Sequence, residues 1–487
     1  MAALIDEKLL DDKLASLETA RSWSPRVMSK LETHIRSADD DALFRINPFG
    51  FAAEKNIPEN EAIDLFLHAT AVGLFGMDWL LLCPACSCVV DDFRNLKAVN
   101  QNYHCHMCQT DYESRLDEFI AVYFTISPLV REISLHRPDE LSPHDYVFKY
   151  RGCREGRLPD GTPMLHAQEA ITRAVEYIPA GETIRVTVEA EEGAIVGVSP
   201  EGRIAFAYAV EGAPTGEPPA IKFLYGDKAR AHALGKTTRG TTELVVENAT
   251  GRRGCLHVAV VPGWFKIGEI ELDFAPFLTG KRLLTTQTFR DLFRSEVIRS
   301  SEGLGVRSIT LLFTDLKGST ALYDRIGDLN AFALVQRHFE HLQDAVVRQR
   351  GAIIKTIGDA VMAAFLEPAD AVRAALAMRR EIAAFNRAQP DRSLVLKIGI
   401  HNGGAIAVTQ NDRLDYFGQT VNVAARVQGL ADADEICITE DVFEAEGVQD
   451  ALAEVAITRE IARLRGIDQD YPVFRISPAP THAAATA

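Results

Sequence analysis

Apolar and polar positions alternate most tellingly in the last third of the chain. Ser308–Asp315 (SITLLFTD) is an apolar run closed by a carboxylate, which predicts a buried strand. Phe332, Val335, Phe339, Leu342 and Val346 then recur at three- and four-residue spacing, the stripe of a helix packed on a sheet. Ile353–Thr356 and Ala360–Leu366 flank Gly358-Asp359, which predicts a hairpin. Leu394, Leu396, Ile398 and Ile400 alternate with Val395, Lys397, Gly399 and His401, giving a further strand. The element order is close to βααββαββαβ, and the fold class is α+β.

Upstream the texture differs. Residues 1–80 read as a helical regulatory segment, with a winged helix among the forms open to it. Asn47-Pro48 and Pro58 separate its helices, and Gly73 is a stop signal. A DNA-reading helix needs basic residues that this stretch lacks. From 120 to 282, segments such as Thr183–Val188 (TIRVTV) and Leu244–Val261 are punctuated by Pro-Ala-Gly and Ser-Pro-Glu-Gly turns, which predicts an antiparallel β-sandwich. Its Asn248-Ala249-Thr250 matches a glycosylation acceptor, expected to be a chance match. A linker helix follows over 283–303, with Phe289, Leu292, Phe293 and Val297 on one face. It serves either as a connector or as a helix packed on its own domain. Residues 304–477 form the α+β domain, and Pro478–Ala487 a disordered tail.

A length of 487 residues suggests about three domains at roughly 150 residues each, and 47% hydrophobic with 25% charged residues marks a globular chain. The net charge of −16 builds in no general attraction to polyphosphate or anionic lipid, so nucleic acid is not an expected partner. No apolar stretch approaches the roughly 20 residues that span a bilayer, and residues 1–30 lack a signal-peptide pattern. The expected compartment is the cytoplasm.

Eight cysteines are too few for a disulfide scaffold in a chain this long. Four form Cys83-Pro-Ala-Cys86 and Cys105-His-Met-Cys108, with residues 87–104 between them. Two such knuckles can present four thiolates tetrahedrally to one structural Zn²⁺ in a zinc ribbon over 81–119. Cys88, His104 and His106 are further ligand types in the same segment. Four protein ligands leave no open position, so this metal would stabilise a fold rather than catalyse.

Two carboxylates stand out by placement. Asp315 ends the first buried strand just before Lys317-Gly318-Ser319-Thr320, and Asp359 lies at the hairpin tip. Hard oxygen ligands beside a small-residue loop suggest a metal–nucleotide site. With LLFTDLKGST (311–320), GAIIKTIGDAVMAAF (351–365), KIGIHNGG (397–404), LDYFGQTVNVAARVQ (414–428) and LRGIDQDYPVFRI (464–476), the segment from about Val306 to Ile476 resembles the class III adenylyl and guanylyl cyclases. The upstream region also resembles a module that precedes some soluble cyclases of this class.

The resemblance implies a ferredoxin-like α/β sandwich. It also implies two Mg²⁺ or Mn²⁺ ions on Asp315 and Asp359, a phosphate-wrapping turn from Leu316 through Lys317, Gly318 and Ser319 to Thr320, and base readers at Lys355 and Asp415. Asn422 and Arg426 match the residues that orient the ribose and stabilise the transition state. Arg465 falls where the family commonly has a phosphate-binding lysine, a change of geometry at constant charge. A head-to-tail homodimer would bring the metal aspartates of one protomer to the remaining residues of the other.

Adenine offers an N6 donor and an N1 acceptor, which complement the carboxylate of Asp415 and the ammonium of Lys355; guanine reverses that edge. The expected reaction is ATP to cyclic AMP and pyrophosphate, regulated through the N-terminal region by a ligand or protein that the sequence does not identify. The alternatives are a guanylyl cyclase, a nucleotide-binding regulator without turnover, and a transcription factor led by the zinc ribbon.

Overall fold

The computed structural model describes residues 5–108, 110–226, 233–263, 271–299, 303–388, 394–453, 455–467 and 470–477. The tail expected at 478–487 lies outside them. The chain divides into two compact units. One holds most of residues 1–278; the other holds Thr279 onward together with Leu96–Val99 and Arg115–Asp117. No helix among the described residues is long and apolar enough to cross a membrane.

The first unit begins with helices Glu7–Ala20, Val27–Ser37, Pro48–Lys55 and Glu59–Ala71. Asp6 and Asn47 cap the first and third with their side chains, and Pro48 supplies the fixed φ of a first helical residue. The fourth ends as expected at Gly73, whose φ of +84° lets Leu74 N–H reach back to Ala69 O at 2.8 Å. These helices are not a free-standing bundle. Strand Phe75–Leu82 pairs antiparallel with both Val89–Phe93 and Ile120–Ile126, so one sheet runs across the boundaries expected at 80 and 119. Ile120–Ile126 is buried at every position, and such a strand needs cover on both faces. Part of that cover is the helix Glu59–Ala71: its Phe66 stacks on Phe124 and meets Phe75 edge-on.

Downstream, a five-stranded and a three-stranded sheet share a core that includes Ile195, Phe206, Phe223, Leu244 and Val258. Four of the strand pairs are antiparallel as expected, and two depart from that expectation. Phe206–Val210 runs parallel to Ala233–Thr237, and Ala220–Tyr225 runs parallel to Gly240–Asn248. Over 205–248 each successive strand enters the opposite sheet, so the chain returns to a given sheet only after two crossovers and in the same direction. Asn248 is 1% exposed, and its amide donates to Ile178 O, Pro179 O and Arg252 O. The glycosylation-like tripeptide is thus a buried turn that knits strand ends together.

The second unit is built on an eight-stranded sheet. The hairpin Ala352–Ile357/Ala360–Phe365 lies at one edge, followed inward by Leu304–Leu316 and Leu396–Gln410, then by Ile436–Thr439, Asp470–Ile476 and Ile457–Arg463; Arg413–Phe417 pairs with the far end of Leu396–Gln410. Helix Asp328–Arg348 buries Val335, Leu342 and Val346 of the stripe read from the sequence in a core shared with helix Pro368–Ala388 and with Leu312, Phe365, Ile398, Ile436 and Ile438, whereas Phe332, expected in that stripe, lies 59% exposed. Cys437, between those last two isoleucines, faces the other side and packs with Val423 and Val427 of helix Gln419–Leu430. The observed order extends the expected βααββαββαβ by two single-turn helices, Glu440–Phe443 and Val448–Ala451, and the final strand pair.

The expected linker helix is replaced by two short ones, Gly280–Leu284 and Gln287–Leu292. Phe293 leaves helical geometry, so the helix stops before Val297, and 300–302 lie outside the described residues. Gln287–Leu292 packs on its own unit: Gln287 Oε1 accepts from Ile353 N–H at 2.8 Å, and the half-buried Arg290 donates to Leu414 O.

Candidate active site and metal centre

The central strand Leu304–Leu316 runs beneath the sheet's core and delivers Asp315 at its end, opposite Lys397. Thr314 Oγ1, one residue earlier, accepts from Val361 N–H at 3.1 Å and pins the hairpin that carries Asp359. The hairpin tip turns at Gly358, with φ +65°, a conformation that suits glycine. Burial and the neighbouring Asp359 carboxylate push the Asp315 carboxyl above its usual range, against the pull of Lys397. Asp359 Oδ2 is buried without a hydrogen-bond partner. Two carboxylates close enough to repel, one with an orphaned oxygen, form a donor set that fits a hard divalent cation.

Beside them, Lys317 N–H donates to Val395 O at 2.8 Å, and Gly318 takes a left-handed φ of +75° at the entry to helix Ser319–Ile326. No side chain caps that entry, which leaves first-turn N–H groups available to an anion. Lys317 itself pairs with Asp432, and Thr320's side chain is not among the described ones. Leu316 is buried in the core, so only its backbone can serve the turn.

Lys355 and Asp415 meet directly. The ammonium lies 2.5 Å from Asp415 Oδ2, while Oδ1 accepts from Tyr416 N–H at 2.8 Å. Asn422 and Arg426 are one turn apart on the exposed face of Gln419–Leu430, and neither side chain has a partner among the described residues. Arg465 is exposed in the turn between the last two strands, equally without a partner. Within one chain the residues comprise an aspartate pair, a Lys–Asp pair and an exposed helix face, with no hydrogen bond or ion pair joining the three among the described residues.

Sequence reasoning missed several residues that build this arrangement. Gly399 lets helix Gln419–Leu430 lie directly on the sheet, since a Cβ there would sit 2.1 Å from Gln428 N. Gln428 in turn lies beside Asp315. Arg290 and Gln287 hold backbone next to Asp415 and near Lys355, from a segment first read as a linker. Arg290's contact with Leu414 O crosses 124 residues of sequence and left no local signal.

The first unit carries the cysteine cluster. Ser87, at φ +53°, closes the first knuckle with its N–H on Cys83 O at 2.8 Å, and the second knuckle springs from the hairpin Asn102–Cys105/Thr110–Glu113. The sulfurs of Cys83, Cys86, Cys105 and Cys108 all lie within 4.8 Å of one another, a spacing that fits four thiolates on one ion. Cys88 Sγ is a fifth sulfur nearby, 3.3 Å from Cys86 and 3.5 Å from Cys105. His104 is engaged with Asp111 at 2.9 Å.

Comparison with known proteins assigns both halves. Residues 305–465 match the adenylate and guanylate cyclase catalytic domain, so the second unit carries a class III cyclase domain with the α+β fold of that class. Residues 10–291, more than half of the chain, match the family described as "Family of unknown function (DUF5939)", and the chain belongs to that family. Among curated relatives, adenylate cyclase 2 of Rhizobium meliloti (strain 1021) is 33% identical over 24% of this chain and 36% of its own length. An adenylate cyclase of Anabaena cylindrica is 26% identical over 35% of this chain and 37% of its own. The match thus spans little more than a third of these relatives' length. The solved adenylyl cyclase CyaB from P. aeruginosa covers 37% of this chain and 98% of its own at 19% identity, with a TM-score of 0.33.

Proposed function

We propose that this protein is an adenylyl cyclase that converts ATP to 3′,5′-cyclic AMP and pyrophosphate at two sites shared between the protomers of a homodimer. The observation that carries this reading is a complete residue set whose groups no hydrogen bond or ion pair joins among the described residues of a single chain. Asp315 and Asp359 present an acidic pair with one buried oxygen, Asp359 Oδ2, unpartnered there, whereas Asn422 and Arg426 are exposed with no partner among the described residues. Exposed apolar side chains flank the same elements: Phe417 is 67% exposed beside its cross-strand partner Ile406, and Leu329 is 87% exposed. A second copy would bury them.

Asp315 and Asp359 would hold Mg²⁺ or Mn²⁺, which when bound acidifies the ribose 3′-hydroxyl and offsets charge at the α-phosphate. The chain's own groups do the rest. N–H groups of the turn from Leu316 to Ser319 hold the phosphate tail. Asp415 accepts from the adenine amino group and Lys355 donates to N1, so the pair seen closed in the free chain opens onto the base. Asn422 orients the sugar, and Arg426 meets the negative charge that grows on the phosphorus oxygens during attack. The test is product formation by purified protein supplied with Mn²⁺ and either ATP or GTP. Cyclic AMP from ATP in preference to cyclic GMP from GTP is expected; no cyclic nucleotide across a range of protein concentrations would defeat the reading.

The four clustered thiolates would bind one structural Zn²⁺. Regulation through the first unit is part of the same proposal.

A further inference from the structure

The first unit holds an apolar pocket of about 130 Å³ that no part of the cyclase chemistry uses. Its walls come from Met107, Leu158, Met164, Ile171, Val196 and Val261, with Cys86 of the cysteine cluster beside them. An apolar space of this order, about 150 Å³ in a well-studied case, accepts a benzene-sized guest. Folded interiors leave few such spaces, because lost packing contacts destabilise.

Two polar side chains interrupt the lining, Gln168 and His257. His257 is 5% exposed, and burial pulls its pKa down to about 4, so the imidazole is neutral. The Thr172 hydroxyl lies 2.8 Å from Gln168 O and 2.7 Å from His257 Nε2, and its one proton can serve either of them. Nδ1 of the imidazole has no partner among the described residues. Gln168 Nε2 donates to Cys86 O at 3.0 Å, which leaves its Oε1 without a partner there. The pocket thus offers apolar walls interrupted by one imidazole and one amide.

We infer that this pocket is a binding site for a small, uncharged, largely apolar molecule carrying one hydroxyl, which can donate to or accept from His257 and Gln168, of the size and chemistry of a phenol. A charged guest would be desolvated without a counter-charge, and a pure hydrocarbon would leave the imidazole and the amide unsatisfied. The inference stands independently of the cyclase reading.

Phenol and toluene are suitable probes, matched in shape and different in the donor. The full-length protein, with methionine methyl groups isotopically labelled and assigned through single Met→Leu variants, is titrated with each. Phenol should shift the Met107 and Met164 methyl resonances saturably while leaving Met362 and Met378 in place. Toluene should bind at the same methyls about tenfold more weakly, the effect of one lost hydrogen bond. His257→Phe should bring phenol toward toluene's affinity and leave toluene's little changed. Ala167→Phe, at a half-buried helix position on the cavity wall, should abolish binding of both. Absence of a saturable phenol shift at Met107 and Met164, or equal affinities for the two probes, overturns the inference. So does undiminished binding in a folded Ala167→Phe chain. Should either variant fail to fold, the two-probe comparison on the unmodified protein decides.

Discussion

Lys355 and Asp415 hold each other in the free chain, Nζ to Oδ2 at 2.5 Å, although they lie on different strands and 60 residues apart in sequence. Asp415 is buried and Lys355 about one-third exposed. The pair therefore has one anchored member and one that can swing. An incoming purine that satisfies both groups replaces the ion pair without leaving a buried charge alone, whereas one that satisfies neither does not. Lys355→Glu combined with Asp415→Ser should raise the ratio of cyclic GMP to cyclic AMP by at least about tenfold, the scale of one repaired or broken polar contact. Equal ratios in the double variant and the parent would show that base choice lies elsewhere.

Shared sites make a second prediction. Asp315→Ala and Lys355→Ala should each be nearly inactive alone, because each removes a group from both sites of its own dimer. Mixed and allowed to exchange, they should regain up to about a quarter of parental activity, since half of the dimers are then hybrids with one intact site of two. No recovery, with subunit exchange demonstrated by differently tagged copies, counts against the shared arrangement.

The burial of Asp315 beside the Asp359 carboxylate has a pH signature. The Asp315 pKa is raised above its usual 3.8, so its contribution to stability is full below that value and is lost as pH rises through the folded-state value. Asp315→Asn should therefore raise the Tm of metal-free protein at neutral pH by about one or two degrees, with the gain shrinking toward acid pH. Saturating Mn²⁺ should reverse the order, because only the parent keeps both carboxylates to bind it. Thermal melts with chelator and with Mn²⁺ at two pH values provide the check; a stability gain independent of pH would point to a different cause.

His338 is fully buried in helix Asp328–Arg348, and neither ring nitrogen has a hydrogen-bond partner. Burial lowers its pKa to about 4. Stability linked to this group is present above 6.5 and is lost as pH falls from there toward 4, because the unfolded imidazole takes up a proton first. His338→Leu should stabilise the protein by about 1 kcal/mol at neutral pH by removing two unsatisfied polar atoms. It should also reduce acid sensitivity between those values. Urea titrations at neutral and mildly acidic pH measure both effects, and a destabilised leucine variant would mean that the imidazole has a partner in solution.

For the cysteine cluster, Cys105→Ser should abolish stoichiometric zinc in purified protein, measured by elemental analysis, and make the first unit protease-sensitive. Cys88→Ser should leave zinc content unchanged if the four mutually close sulfurs are the ligands. Loss of zinc in Cys88→Ser would reassign the set.

The sequence determined the local features of this protein. Period-2 and period-3.6 patterns located the strands and helices of the second unit, and the knuckles announced themselves because each places two thiols within four residues. Asp315 and Asp359 stood out by local placement, at a strand end and a hairpin tip, whereas Asn422 and Arg426 were reached through resemblance to the class III cyclases. Tertiary structure alone decided what lies between distant segments. The sheet joining Phe75–Leu82 to Ile120–Ile126 erased an expected boundary, since a strand's hydrogen bonds say nothing in sequence about which partner receives them. The parallel pairs of the β-rich region followed from crossovers between sheets, which alternation within a strand cannot report. Arg290 beside Asp415, Gly399 beneath Gln428 and the apolar pocket at His257 likewise arise from side chains that meet only after folding, where burial and pairing set their chemistry.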